Sequence, residues 1–182
     1  YISSLLLIAP KISGGLKIQL TGRETSKPYI DMTISILKKL GVEVTTTDNQ
    51  ISISELQKIE SKKHYIESDW SSASYFYSVV ALAKIGFSLK LSKFSFESLQ
   101  GDSKVADIYK SFGVKTTYKD DLVILKKVES NTDKFSFDLT SNPDLAQTIC
   151  VTCLGLGLKC NLNGLHTLKI KETDRLLALK TE

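Results

Sequence analysis

Cysteine and histidine are scarce in this 182-residue sequence, which has three cysteines and two histidines. Cys150, Cys153 and Cys160 lie in one apolar segment, and their odd number argues against a framework of disulfides. Cys150 and Cys153 have the C-x-x-C spacing of a metal or redox pair, but the sequence has no second pair, and His64 and His166 lack the spacing of metal ligands. We therefore expect three buried, reduced thiols and no metal site.

Long apolar runs and runs of one charge are also absent. The longest apolar stretches, Ile2–Ala9 and Ile149–Leu158, are too short to span a bilayer, and no basic segment followed by an apolar one opens the chain. These absences argue against a membrane protein and favour the cytoplasm. The 24 basic and 20 acidic residues are spread without clusters, so the net charge of +4 suits anionic small molecules better than nucleic acid.

The sequence does have an internal repeat, which is marked by glycine. Gly15, Gly86 and Gly157 each follow an apolar, helix-like run and precede a strand-like one, with the same spacing between successive glycines. Hydrophobic residues make up 42% of the chain, which is enough for the copies to bury a core. The glycines therefore predict a repeated supersecondary unit.

Each of the first two copies continues with a second helix and a hairpin. The predicted second helices are Ile30–Leu40 and Lys104–Phe112, ended by Gly41 and Gly113 as C-caps. The predicted hairpin turns are Asp48-Asn49 and Lys119–Asp121, and the return strands are Gln50–Ile53 and Leu122–Leu125. The predicted unit is thus helix, strand, helix, strand, strand.

Short strands and apolar helices are expected to link the copies. His64–Glu67 and Phe135–Asp138 are predicted strands that lead into the next copy, and the following helices, Ala73–Ala83 and Leu145–Leu156, are apolar nearly all round and should be central. We predict an α/β fold of repeated βαβαββ units. Residues 1–67 are assigned to one globular domain and 68–182 to a second, with a tight hinge near 67–69.

A charged cluster near the end of the chain is the strongest candidate for a site. Five charged residues fall between an alternating strand-like stretch and an apolar helical one: Lys169, Lys171, Glu172, Asp174 and Arg175. A helix start there would offer unpaired backbone N–H groups and a positive dipole end to phosphate or carboxylate, and the glutamate could exchange protons. The alternative is an exposed strand-to-helix turn whose charges pair with one another in solvent.

Five segments carry a resemblance to a known family: Ser26–Asp31, Asp69–Tyr75, Ser98–Asp102, Asn142–Ile149 and Lys169–Leu176. In order and spacing they resemble the 5-enolpyruvylshikimate-3-phosphate synthase family, over essentially the whole chain. The Lys171-Glu-Thr-Asp-Arg175 and Gln100-Gly-Asp102 elements together are specific to it. The resemblance implies an enolpyruvyl transferase-like inverse α/β barrel, of which this chain would hold about two and a half of six units.

The same resemblance implies a reaction and its ligands. It implies transfer of the enolpyruvyl group of phosphoenolpyruvate to the 5-hydroxyl of shikimate 3-phosphate, with release of phosphate and without a metal or organic cofactor. Glyphosate is a candidate inhibitor, and the parent enzyme is expected to be a monomer. Neither nucleic acid nor a membrane is an expected partner.

Catalytic roles follow for three residues by resemblance. Asp144 matches a carboxylate that contacts shikimate 3-phosphate and accepts a proton, Lys171 matches a lysine that reaches the target hydroxyl, and Glu172 matches a glutamate of proton transfer. Asn142-Pro143-Asp144 also reads as the N-cap, N1 and N2 positions of a helix, where an aspartate would only complement the dipole. Both interpretations can hold together.

Binding roles follow for four more residues. Arg175 matches an arginine that binds phosphoenolpyruvate, which suits the paired hydrogen bonds of a guanidinium. Ser26 and Tyr29 match residues that bind shikimate 3-phosphate, although Ser26 also reads as a turn residue before proline. Thr167 stands where the family commonly has asparagine, so it lacks the reach of an amide. The residues expected to be structural are Asp31, Trp70, Gln100 and Asp102.

The abrupt start and end of the sequence predict a piece of a longer protein. By resemblance, further lysine, arginine and serine ligands lie outside it, so we expect no turnover from this chain alone. Two alternatives are a UDP-N-acetylglucosamine enolpyruvyl transferase, which lacks the Lys-Glu-Thr-Asp-Arg element, and a structural module without catalysis.

Overall fold

The chain folds into two compact units, Tyr1–Tyr65 and Ile66–Glu182. Their description rests on a computed structural model that covers residues 1–22, 27–56, 58 and 63–182. The units divide between Tyr65 and Ile66. The assignment of residues 1–67 and 68–182 to the two globular domains of a larger enzyme stays a prediction.

The first unit is a three-stranded antiparallel sheet with two helices. Its elements are α1 (Ile2–Ile8), β1 (Leu16–Gln19), α2 (Lys27–Lys39), β2 (Val44–Thr47) and β3 (Gln50–Ile53). The strand order is β1-β3-β2, and β2 and β3 form a hairpin. Ile30, Ile34 and Leu37 share one face of α2 because they recur every three or four residues, and this face is buried in the core of the unit.

The second unit repeats this plan and extends it. Its elements are α3 (Trp70–Leu82), β4 (Ser88–Ser92), α4 (Val105–Ile108), β5 (Val114–Lys119), β6 (Leu122–Lys127), β7 (Lys134–Asp138), α5 (Ala146–Gly155), β8 (Lys159–Asn163) and α6 (Arg175–Thr181). Short 3-10 turns occupy Gly101–Lys104, Tyr109–Phe112, Pro143–Leu145 and His166–Ile170. The sheets are β4-β6-β5, which is antiparallel, and the parallel pair β7-β8.

Helices α3 and α5 form the centre of the second unit. They pack on each other, and Trp70, Tyr77 and Ile149 are fully buried between the helices and the sheets. Helix α3 begins at Trp70 because the Asp69 carboxylate caps it, accepting from the backbone N–H groups of Ser71 and Ser72 at 3.1 Å. The predicted central helices are therefore confirmed.

The predicted repeat is also confirmed. Both complete copies run helix, strand, helix, strand, strand, and α5 and β8 begin a third. Gly15, Gly86 and Gly157 all have positive φ, at +80°, +91° and +69°, a conformation that glycine adopts without strain. The fold is therefore α/β with repeated units, as the sequence predicts.

Three local predictions were wrong. His64–Glu67 is not a strand, because side chains hold this segment instead of a ladder: the Glu67 carboxylate accepts from Ser98 and from the Trp70 ring. The predicted helix Lys104–Phe112 contains only one turn of α-helix, between two 3-10 segments. The first of these segments, Gly101–Lys104, contains the buried side chain of Asp102. The strand-like stretch before the charged cluster is the 3-10 turn His166–Ile170.

The cysteines are free, but only one of them is fully buried as predicted. Cys153 is buried, Cys150 is half-buried, and Cys160 on β8 is exposed although it lies close to both of them. Burial, with a smaller effect of Cys160, raises the pKa of Cys150 to about 11 and that of Cys153 to about 12. Both thiols are therefore protonated and poor nucleophiles at neutral pH.

Within the described ranges, the helices are all too short or too polar to cross a membrane.

Candidate active site

The first part of the site is the turn that leads into α5. Pro143 and Leu145 are buried, and Asp144 between them keeps a side chain that is 19% exposed. Proline at the first position of the 3-10 turn fixes φ, so the backbone that carries Asp144 is rigid. Buried neighbours on both sides therefore hold the carboxylate at the surface of the unit.

The second part is the segment between the 3-10 turn His166–Ile170 and α6. Leu168 is fully buried and anchors this turn, after which Lys171 adopts an extended conformation. Asp174 caps α6 and accepts from the backbone N–H groups of Leu176 at 3.1 Å and Leu177 at 3.0 Å. The expectation that this helix start is open to an anion was wrong, because the chain's own carboxylate already binds these donors.

Four charged side chains from these two parts meet. Arg175 Nη1 lies 2.8 Å from Asp144 Oδ1, and Lys171 Nζ lies 3.2 Å from the same oxygen. On its other side Arg175 contacts both oxygens of Glu172, with Nε to Oε1 at 2.8 Å and Nη2 to Oε2 at 3.0 Å. Asp144 is thus held between two cations, and Arg175 between two carboxylates.

The exposure of these side chains shows which contacts can be exchanged. The side chain of Glu172 is 65% exposed, whereas those of Arg175 and Asp144 are each 19% exposed. A guanidinium binds phosphate or carboxylate with the same paired geometry, so an anion can replace Glu172 on Arg175. The charges do pair with one another, as the alternative interpretation held, and this pairing is compatible with ligand binding.

Glu172 is ionised in this arrangement. A hydrogen bond from its own backbone, followed by that from Arg175, lowers the pKa of Glu172. A carboxylate in this state can accept a proton but has none to donate. Release from Arg175 would remove part of the cause of the lowered pKa.

The other predicted binding residues are distributed unevenly. Thr167 lies on the turn that precedes Lys171, and its Oγ1 is buried without a hydrogen-bond partner among the described residues. Tyr29 lies in the first turns of α2, in the first unit, where its carbonyl oxygen accepts from Thr33 Oγ1 at 2.8 Å. Ser26 lies outside the described residues.

Sequence reasoning missed a network beside the site. Asn142 does not cap a helix with its side chain, as its position suggested; its amide group donates to Asp102 at 3.4 Å instead. Asp102 is 2% exposed and also accepts from Ser71 Oγ at 2.6 Å. The sequence marked Asp102 by its repeated position and by the Gln100-Gly-Asp102 element, but neither sign reveals its partners.

Across residues 1–22, 27–56, 58 and 63–182, no three or more His, Cys, Asp or Glu side chains are grouped so that they could hold a metal ion.

The repeated α/β units have the fold of an enolpyruvyl transferase. A solved EPSP synthase from Acinetobacter baumannii shares this fold with a TM-score of 0.67 and 20% sequence identity, over 91% of this chain and 38% of that one. The chain belongs to the EPSP synthase (3-phosphoshikimate 1-carboxyvinyltransferase) family, whose model matches residues 1–182.

Two curated relatives show the extent of the match. The chain is 40% identical to a 3-phosphoshikimate 1-carboxyvinyltransferase of Bacteroides fragilis, and 36% identical to one of Cronobacter sakazakii. Both alignments cover the whole of this chain but only 44% and 42% of the relatives. The chain therefore spans less than half the length of these enzymes.

Proposed function

We propose that this chain is part of an enzyme that transfers the enolpyruvyl group of phosphoenolpyruvate to the 5-hydroxyl of shikimate 3-phosphate and releases phosphate. The observation that carries the proposal is the Asp144 carboxylate held between Lys171 and Arg175, in a chain of the EPSP synthase family. The reaction would serve the shikimate pathway and aromatic amino acid biosynthesis. Its place would be the cytoplasm, and the whole enzyme would be a monomer.

Phosphoenolpyruvate would bind by displacing a carboxylate that this chain supplies. Its phosphate or carboxylate group can form the same two hydrogen bonds on Arg175 that Glu172 forms here. Because Glu172 is exposed, its release into water carries a small penalty. We infer that Glu172 keeps Arg175 oriented until the substrate arrives, and glyphosate would compete for the same guanidinium.

The proton steps fit the carboxylates and the lysine. Asp144 would accept the proton of the 5-hydroxyl as the hydroxyl oxygen attacks C2 of phosphoenolpyruvate. Glu172, which would take up a proton from solvent after it leaves Arg175, would donate this proton to the methylene carbon to give a tetrahedral intermediate. Loss of a proton from the new methyl group and of phosphate then completes the transfer. Lys171, beside Asp144, would stabilise the negative charge that develops on the attacking 5-hydroxyl oxygen. Glu172, once it leaves Arg175, would transfer protons to and from the methylene carbon of phosphoenolpyruvate.

The remaining predicted residues would recognise shikimate 3-phosphate. Ser26 would donate to the 3-phosphate, Tyr29 would line the same ligand, and the unpartnered hydroxyl of Thr167 could bind a substrate oxygen. A substrate that satisfies this buried hydroxyl would gain affinity, since an unmade hydrogen bond is costly there.

The test is an NMR titration of this chain with shikimate 3-phosphate, with UDP-N-acetylglucosamine as the control ligand. We expect shikimate 3-phosphate alone to shift the backbone amides of Asp144, Lys171 and Arg175. Lys171→Ala, which removes a residue assigned to shikimate 3-phosphate, should abolish these shifts, while Lys110→Ala, which removes an exposed lysine that pairs with Asp107, should leave them. Binding of the nucleotide sugar instead would refute the proposed substrate.

The isolated chain should release no phosphate from the two substrates, because we expect part of the active site to be formed by residues outside this chain. Measurable phosphate release by the chain alone would contradict this expectation.

A further inference from the structure

Asp102 is a carboxylate buried close to the proposed site, with no place in the proposed chemistry. It is 2% exposed, and its two oxygens accept from Ser71 Oγ at 2.6 Å and from Asn142 Nδ2 at 3.4 Å. Burying a charged group is unfavourable unless hydrogen bonds replace its water. The two donors replace part of the lost hydration of the carboxylate, so Ser71, Asp102 and Asn142 form one hydrogen-bond network.

The surroundings of Asp102 are unfavourable for its charge. Burial raises the pKa of Asp102, and the nearby carboxylates of Asp144 and Asp69 raise it further, against the opposite effect of the Ser71 and Asn142 hydrogen bonds. Unfavourable local choices of this kind are most often kept where they serve function. The question is which part of the site depends on them.

Asn142 links Asp102 to the Asp144 carboxylate through a short and rigid backbone. Asn142 is 6% exposed, its N–H donates to the Leu139 carbonyl at 3.0 Å, and its own carbonyl accepts from Leu145 N–H at 3.2 Å. Pro143 separates it from Asp144 and has a fixed φ. A change in the orientation of Asn142 is therefore passed to Asp144 with little loss.

Ser71 connects the same carboxylate to the central helix. It lies in the first turn of α3, next to the fully buried Trp70, whose backbone N–H donates to Gln100 Oε1 at 2.9 Å. Gln100 also donates to the Ser68 carbonyl at 2.9 Å, and it is two positions from Asp102. The carboxylate is thus bonded to the first turn of α3 on one side and, through Asn142, to the turn Pro143–Leu145 on the other, which we call the Asp144 turn.

We propose that Asp102 is a positioning residue, which holds the Asp144 turn through Asn142 and so sets the geometry of the Asp144–Arg175 contact. The consequence for turnover rests on the proposed function. The positioning itself does not, because it concerns two parts of one folded unit. A misplacement of about 1 Å at a reacting group can lower a rate by about a hundredfold.

The test uses substitutions that break and then restore the link. Asp102→Asn removes the negative charge that strengthens the hydrogen bond from Asn142, and it breaks this bond when the new amide group faces Asn142. The double variant Asp102→Asn with Asn142→Asp reverses the donor and the acceptor and keeps an oxygen for Ser71 Oγ. Asn142→Ala removes the link while Asp102 and Ser71 stay paired, and serves if Asp102→Asn does not fold.

Two matched controls separate positioning from general destabilisation. Ser71→Ala removes the other hydrogen bond of Asp102 and leaves the link to Asn142. Asp107→Asn makes the same chemical change at an exposed aspartate of α4, which pairs with Lys104 and Lys110. Melting temperatures of all variants record the purely structural effect.

The first readout is the NMR signal of Arg175 Nε–H together with the amide of Asp144, measured on this chain. We expect both to shift in Asp102→Asn and in Asn142→Ala, to return toward the wild-type values in the double variant, and to stay unchanged in Ser71→Ala and Asp107→Asn. Unchanged Arg175 and Asp144 signals in folded Asn142→Ala, in which the link is removed, would overturn the proposal. Equal shifts in Ser71→Ala would do the same, since they would indicate a general loosening.

The second readout is turnover, in a whole family enzyme that contains this chain. Asp102→Asn should lower kcat by about tenfold to a hundredfold with little change in either KM, and the double variant should recover most of it. If the wild-type enzyme does not turn over shikimate 3-phosphate, the proposed function fails, and the NMR readout still decides the positioning role. Asn142→Ala, which removes the link, should lower kcat in the same way, and a normal kcat in this variant would overturn the role in catalysis.

Discussion

Asp31 and Asp102 occupy equivalent positions in the first two copies of the repeat, and their environments are opposite. Asp31 lies on α2 and pairs with Lys27 at 2.7 Å, with the two side chains 53% and 60% exposed. Asp102 is buried and bonded to Ser71 and Asn142. The difference shows that equivalent positions in the repeat can have different surroundings.

The partners of Asp102 explain the contrast. Ser71 and Asn142 are themselves equivalent positions, one in the second copy and one at the start of the third, and Asp102 joins them. All three residues belong to the second unit. For Asp31, the residue equivalent to Asn142 is Ser71. Ser71 belongs to the second unit and is already bound to Asp102. The carboxylate is therefore buried where two successive copies lie within one unit.

The largest effect is expected at another equivalent pair, Gly15 and Gly86. Both have positive φ, but a Cβ at Gly15 would collide with the carbonyl oxygen of Ile53, whereas a Cβ at Gly86 would meet nothing within 4 Å. Gly86→Ala should cost about 1 kcal/mol of unfolding free energy from backbone strain, and Gly15→Ala about 3 kcal/mol because overpacking adds to it. Urea unfolding of each variant measures the difference; equal losses would contradict it.

The next effect separates the two aspartates themselves. Asp102→Ala should cost about 2 kcal/mol, because it leaves the buried donors of Ser71 and Asn142 without an acceptor. Asp31→Ala should change the unfolding free energy by no more than about 0.5 kcal/mol, since its ion pair is solvated and screened. Urea unfolding followed by near-ultraviolet circular dichroism compares them. A loss at Asp31 as large as that at Asp102 would remove the contrast.

The smallest effect is a dependence on pH. Burial raises the pKa of Asp102 above the ordinary aspartate value of 3.8, so the folded state binds this proton more tightly than the unfolded chain. The resulting stabilisation is fully present below the unfolded pKa and is lost as pH rises through the higher folded pKa. Relative to Asp102→Asn, which cannot titrate, the wild type should therefore gain stability as pH falls through this window.

The matched measurement for this prediction is Asp31→Asn, at the equivalent position. Unfolding free energies of the wild type and both variants are measured across the same pH range, and any slope common to the two variants is subtracted. No remaining slope at position 102 would contradict a raised pKa in the folded state.

The success of sequence reasoning varied with the range of the interactions. The return strand Gln50–Ile53 and the turn before it agree with the structure residue for residue, because alternation and turn residues are local signals. The strand expected at His64–Glu67 failed because Glu67 is held by Ser98 and Trp70, and Ser98 is distant in sequence. The burial predicted for Cys160 failed for a similar reason, because the cover over this position of β8 is set by segments that are distant in sequence.

The candidate site divides in the same way. The charged residues that the sequence predicts, Asp144, Lys171, Glu172 and Arg175, do meet, although their roles remain proposals. Their mutual pairing was left open by the sequence, and the capping of α6 by Asp174 was not foreseen. The Asp102 network was missed because its bonds join residues 31 and 40 positions apart.

The sequence by itself determined the repeat, most of the order of helices and strands, the family and the charged residues of the site. These follow from periodicity, glycine conformation and side-chain chemistry, which act over a few neighbouring residues. Only the tertiary structure decided which aspartate is buried, which cation contacts Asp144 and how Asn142 is used. Those outcomes depend on which distant segments share a core, since burial and hydrogen bonding are set by neighbours in space.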